Sequence, residues 1–174
     1  MKPFLLGLDT SFVPKIVLDD PLWRRCMELA LRSKGKEQCY GSVVTKNDKI
    51  IGEGWNRLLG RGEPFPFRTS FFLHAEKAAI GQALLREKNI DGAILCVSGF
   101  FVEERRPIIF KEPIGTCVNC AKLYPQFGID IWCLTPQGRV LISGKSIYEI
   151  ALAKTAERKK RNLTTKEFRT ELSL

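Results

Sequence analysis

The chain of 174 residues holds one histidine, His74, and two positions later a carboxylate, Glu76. A neutral imidazole nitrogen is a good zinc ligand, and the chemically matching partners downstream are the thiols of Cys117 and Cys120, spaced Cys-x-x-Cys. Together they amount to three protein ligands. A structural zinc site normally closes with four, whereas a catalytic one leaves the fourth position to water, and Glu76 would stand beside that water. Two plainer readings use the same residues. A lone histidine also serves as a hydrogen-bonded structural side chain, and a Cys-x-x-Cys in a reducing compartment also serves as a redox pair. The redox reading wants the pair after a strand in a thioredoxin-like unit and gives His74 and Glu76 no role; the metal reading employs all four.

The elements that must position these groups are legible around them. Ala78, Ala79, Ala83, Leu84 and Leu85 predict a helix over 75–88, which puts His74 and Glu76 at its start, where free amides and the positive dipole end favour an ionised carboxylate. Thr116 is placed to cap a second helix from Cys117 to about Gly128, with Cys117 and Cys120 one turn apart on one side. Asp20-Pro21 predicts an earlier helix running until Gly35, with Leu22, Cys26, Leu29, Ala30 and Ser33 on one face. Strands are expected at 42–45 and 49–55 around an Asn47-Asp48 turn, at 93–98, and as an antiparallel hairpin of 129–134 with 139–142. The stretch 58–72 reads as a loop, with Phe65, Phe67, Phe71 and Phe72 beside His74. An inserted arm or hairpin is expected over 99–115, where it would form part of the pocket wall. Ser146 and Glu149 have capping-box spacing for a helix over 147–161, and Thr164 with Glu167 repeats it before a short helix over 166–172, packed through Phe168 and Leu172.

The order of His-x-Glu and Cys-x-x-Cys, preceded by Ile51-Gly52-Glu53-Gly54-Trp55-Asn56-Arg57, resembles the zinc signature of the cytidine and deoxycytidylate deaminase superfamily, which includes the adenosine deaminases of transfer RNA. The resemblance covers roughly residues 20 to 145. It departs from the family at Thr116, where proline is usual, and in the long segment between Glu76 and Cys117. It implies a three-layer α/β/α domain with a mixed sheet of about five strands. It also implies Zn2+ held by His74, Cys117 and Cys120, Glu76 as the catalytic proton carrier, and Asn56 and Ala75 as substrate contacts. The expected activity is hydrolytic deamination of a cytosine- or adenine-type base in a nucleoside, nucleotide or nucleic acid. The alternative is a catalytically silent zinc-containing subunit of the same fold, against which the presence of Glu76 argues. Two clues to the substrate oppose each other: the hairpin after Ile129 resembles the free-nucleoside cytidine deaminases, and the Gly52-to-Arg57 segment resembles the transfer RNA enzymes.

Composition bounds the rest. One zinc domain is expected over 20–161, with a lead-in at 1–19 and a short helix or tail at 162–174. The formal net charge of +9 would attract an anionic partner such as a nucleotide or nucleic acid, although much of the excess lies in 154–161 and reads equally as a solvated helix face. Six scattered cysteines, three of them (Cys26, Cys96 and Cys133) in apolar runs, do not look like a disulfide framework. No apolar run reaches membrane-spanning length, and Asp9 interrupts the N-terminal apolar start before a signal core is complete. A cytoplasmic protein with no membrane partner, assembling as a homo-oligomer, is the expectation.

Overall fold

Local chemistry at the helix starts and turns sets the frame. The computed structural model describes residues 7–59, 72–111, 116–164, 167, 170–171 and 173. After a four-residue helix α1 (Lys15–Leu18), α2 (Pro21–Ala30) begins where expected, the Asp20 carboxylate accepting from the amides of Leu22 and Trp23 with proline in the first turn. It ends earlier than Gly35, because the amides of Arg32 and Ser33 turn back to Leu29 and Ala30 and tighten the last turn. Its buried face holds Trp23 and Met27 beside Cys26, Leu29 and Ala30, while Leu22 is only half-buried. The lead-in also packs: Leu8, Val13 and Val17 join the α2 core.

Strands β1 (Gln38–Lys46) and β2 (Lys49–Trp55) form the opening hairpin, turning through Asn47 and Asp48, both at positive φ as a two-residue type I′ turn requires. Two short strands, β3 (Arg57–Leu58) and β4 (Phe72–Leu73), pair with each other and flank residues 60–71. The predicted loop with Phe65, Phe67 and Phe71 therefore lies outside the described residues. Helix α3 (Ala75–Arg86) follows β4 directly. Strand β5 (Ile94–Phe101) runs three residues past its predicted end and folds back into β6 (Arg106–Ile108), so the described part of the expected arm is a hairpin on the sheet.

Helices α4 (Val118–Ala121) and α5 (Leu123–Phe127) divide what the sequence suggests is one helix, and Gly128 ends them at φ 62. Glycine suits that left-handed φ, and a Cβ there would have to displace the Asp91 carboxylate, whose Oδ1 would stand 1.7 Å away. Strands β7 (Asp130–Thr135) and β8 (Gly138–Ile142) are an antiparallel hairpin, as predicted. Helix α6 (Gly144–Lys160) starts three residues before the expected Ile147. Ser143, not Ser146, is its cap, and Asp130 accepts from the Gly144 amide to fix the entry. The second capping box does form, Thr164 and Glu167 exchanging backbone-to-side-chain bonds at 2.8 and 3.2 Å. Phe168 and Leu172 lie outside the described residues.

The sheet order is β2-β1-β5-β7-β8, with β6 extending the β5 edge; the pairing is antiparallel except between β5 and β7. Strand alternation builds two cores on its two faces. Val43, Cys96 and Leu134 point to α1 and α2, whereas Val44, Leu95 and Cys133 point to α3, α4, α5 and α6. The result is a three-layer α/β/α fold. No helix among the described residues is long and apolar enough to cross a membrane.

Candidate metal centre

Close packing of α3 on β2 puts the first histidine-bearing turn at the sheet. A Cβ on Gly54 would stand 2.4 Å from Ala78 Cβ and 2.6 Å from the Ala75 carbonyl, and one on Gly52 2.2 Å from the Ala79 carbonyl. The two glycines of the Gly52-x-Gly54 motif thus clear room for α3. His74 occupies the N-cap position in extended backbone, and its carbonyl accepts the first helical bond from Ala78. Across the site Cys117 is the N-cap of α4, also extended, and its carbonyl accepts from Cys120 and Ala121. Neither side chain caps its own helix. Both project instead into the space between the two helix starts.

There the ligand atoms of His74, Cys117 and Cys120 lie within 4.8 Å of one another, a group able to hold a metal ion. Cys117 Sγ stands 3.5 Å from His74 Nδ1. Two donors of a tetrahedral zinc with ordinary Zn–S and Zn–N bonds are about 3.5 Å apart, so the Cys117–His74 pair stands at that ion's spacing and the three-donor set matches its chemistry. The two thiols share one proton. Cys117 is held down to about 3, first by the Cys120 hydrogen bond and then by His74, and Cys120 is pushed well up by the same bond and by burial. A thiolate facing an imidazole is the state a soft-acid ligand needs. Phe72 packs edge-on to the His74 ring, the two centroids 6.0 Å apart.

Glu76, in the first turn of α3, is 5% exposed, and its Oε1 accepts from the Thr116 hydroxyl at 2.9 Å. Thr116 therefore does not cap the second helix as its position suggests. It reaches across to the first, and its own oxygen accepts from Tyr124 Oη at 2.8 Å. Sequence reasoning passed over Tyr124. The available signal was an apolar-faced position one helical turn after Cys120, occupied by a residue whose hydroxyl needs a partner when buried.

Of the two expected substrate contacts, Ala75 is the fully buried first residue of α3, where the helix leaves the backbone amide unused. Asn56 is buried, and its amide continues the β1 ladder: Oδ1 accepts from Tyr40 N at 2.6 Å and Nδ2 donates to the Gln38 carbonyl at 3.0 Å. One N–H and one lone pair remain for another group. The described part of the 99–115 arm, β6, packs through Ile108 with Phe101 and Phe110 into a core cluster of its own.

A family model described as the cytidine and deoxycytidylate deaminase zinc-binding region matches residues 18–135. Among solved structures, cytidine deaminase from Burkholderia pseudomallei superposes at a TM-score of 0.52 with 16% identity, over 72% of this chain and 92% of that one, and shares the fold. The dCMP deaminase of the cyanophage S-TIM5 in apo form aligns at a TM-score of 0.40 with 21% identity, over 64% of this chain and 74% of that one.

Proposed function

For a chain that belongs to the cytidine and deoxycytidylate deaminase zinc-binding family, we propose zinc-dependent hydrolytic deamination of a cytosine- or adenine-type base carried on a nucleotide or nucleic acid. Residues 20–161 form the deaminase domain. His74, Cys117 and Cys120 hold the zinc, Glu76 is the catalytic residue, and Asn56 and the Ala75 amide contact the substrate. The observation that carries this reading is the buried Glu76 carboxylate in the first turn of α3, directly after the N-cap residue His74, whose ring groups with the two thiols as a three-donor set. When bound, zinc supplies Lewis-acid chemistry, lowering the pKa of a water so that hydroxide is available near neutral pH.

Glu76 moves the protons. It takes one from the attacking water, delivers it to the ring nitrogen next to the amino-bearing carbon, and later helps protonate the departing amino group. In balance, the C–NH2 bond and water become C=O and ammonia. Burial excludes bulk water from competing for those protons. The second reading is a catalytically silent zinc-containing subunit of the same fold, against which the presence of Glu76 argues; a redox role for Cys117 and Cys120 leaves the Thr116–Glu76 contact and His74 without a use and stands third.

The nucleotide preference draws on the formal charge of +9. Part of it lies in the last turn of α6, where Arg158, Lys159 and Lys160 precede Arg161. The antiparallel β7–β8 hairpin supports the smaller substrates among these. A panel of free bases, nucleosides, nucleotides, single-stranded DNA and transfer RNA, assayed for ammonia at two salt concentrations, tests the proposal. Turnover of a phosphate-bearing substrate that weakens with salt is expected. No ammonia from any member ends the enzymatic reading, and salt-independent turnover of a free base alone ends the phosphate preference.

A further inference from the structure

Thr116 stands where the family usually has proline, which brings neither a hydroxyl nor an amide to that point. The hydroxyl present here is buried and has one proton to give, and that proton goes to Glu76 Oε1. The carboxylate can only accept, which sets that direction, and Tyr124 completes the chain from the other side. The phenol is fully buried and donates to Thr116 Oγ1, so the threonine oxygen acts as acceptor on one side and must donate on the other. Burial, followed by the Glu76 charge, pushes the phenol's pKa well up, so Tyr124 keeps its proton and the chain runs one way. Hydrogen bonds in such a chain polarise one another in a low-dielectric setting.

A glutamate has three side-chain torsions, and without an anchor its two oxygens are interchangeable. One anchored oxygen makes them different. We propose that Thr116 and Tyr124 are positioning residues for Glu76, their hydroxyl chain pinning Oε1 so that Oε2 is the oxygen that meets water and base. This rests on the deaminase reading of Glu76. A purely structural alternative exists for the same contact: it also ties the start of α4 to that of α3 and so holds Cys117 near His74. The two roles differ in what they predict, since loss of a tie loosens the metal ligands, whereas loss of an anchor leaves zinc in place and slows the chemical step.

The test uses the zinc-loaded full chain and the best substrate of the panel, with kcat, KM and zinc per chain measured for each variant. Misplacing a reacting group by about an ångström costs on the order of 100-fold, so Thr116→Val should lower kcat by about 10- to 100-fold with KM within about threefold and zinc unchanged. Thr116→Ser, which restores the hydroxyl, should stay within about threefold of the native kcat. Tyr124→Phe frees the threonine proton to turn away and should cost about three- to tenfold. The Thr116→Val, Tyr124→Phe double variant should match Thr116→Val alone, because the phenol acts only through the threonine.

Native kcat in Thr116→Val, zinc lost in step with activity, a serine variant as slow as the valine one, or multiplying losses in the double variant would each overturn the proposal. If Thr116→Val does not fold, Tyr124→Phe decides: native kcat there overturns it. If the native protein releases no ammonia from any substrate, the deaminase reading fails separately. The Thr116–Glu76 contact is then judged by thermal unfolding of Thr116→Val, Glu76→Ala and their combination: additive Tm losses overturn the proposal, and less-than-additive losses uphold the contact alone, not its positioning role.

Discussion

At the start of α2, Asp20 accepts from two backbone amides at 2.9 Å each and is itself held by Arg139 at 2.7 Å. At the start of α3, His74 has similar extended backbone, φ −76 and ψ 150 against −70 and 120, yet its side chain caps nothing. Cys117 repeats the omission at α4. A polar cap is worth about 1 kcal/mol to a helix, so the site forgoes that contribution twice and places its side chains where three donors meet. The lesson is physical: an N-cap residue projects beyond the helix end, and the vector that serves a cap at Asp20 serves a ligand at His74 and Cys117.

The strongest way to break that contrast is to remove the ligands. In a Cys117→Ser, Cys120→Ser variant, zinc should fall from about one per chain to none and deamination should vanish with it, since hard hydroxyls hold zinc poorly at neutral pH. Elemental analysis reads the result; unchanged stoichiometry would place the metal elsewhere. Next in size is Glu76→Ala, which should cost about 100- to 10,000-fold or more in kcat while zinc stays bound, because the carboxylate moves protons and ligates nothing. Wild-type ammonia release from this variant would remove Glu76 from the mechanism.

The other side of the contrast is sharpened by Asp20→Ala. It should destabilise the fold by about 1–2 kcal/mol, or roughly 2–8 °C in Tm, with zinc content and kcat per folded chain intact. A fall in zinc content alongside Tm would show that the α2 side and the site are coupled through the sheet. The smallest effect is expected from His74→Asn in metal-free protein. Asparagine is a good cap, so Tm should rise by the equivalent of about 0.5–1 kcal/mol even as zinc binding is lost. A metal-free protein no more stable than the native apo form would mean that His74 already contributes an equal contact.

Much of this was readable beforehand because it is local. The His74–Glu76 spacing, the Cys117–Cys120 turn, the Asp20-Pro21 start, the Asn47-Asp48 turn and the Thr164–Glu167 box each involve residues within one turn of one another. Backbone geometry over four residues is set by their own side chains. Single-sequence reasoning placed α6 three residues late because the deciding contact, Asp130 to the Gly144 amide, spans 14 positions. It saw Leu22 rather than Trp23 and Met27 on the buried face of α2, because which stripe is buried depends on the sheet beneath it. It assigned Gly52 and Gly54 no structural task, whereas the fold uses both for clearance beneath α3.

The sequence by itself determined the chemistry available: one imidazole, a paired set of thiols at one-turn spacing, and one carboxylate beside the histidine. It also determined the helices and hairpins that carry them, since periodicity and caps act over a few residues. Tertiary structure alone decided what those groups meet. That Thr116 would donate to Glu76, 40 positions back, and accept from Tyr124 depends on the β4–α3 junction and the α4 start being brought together on one face of the sheet. A hydrogen bond forms only within a few tenths of an ångström and a narrow range of angles, and no pattern along the chain encodes a distance between elements that only packing sets.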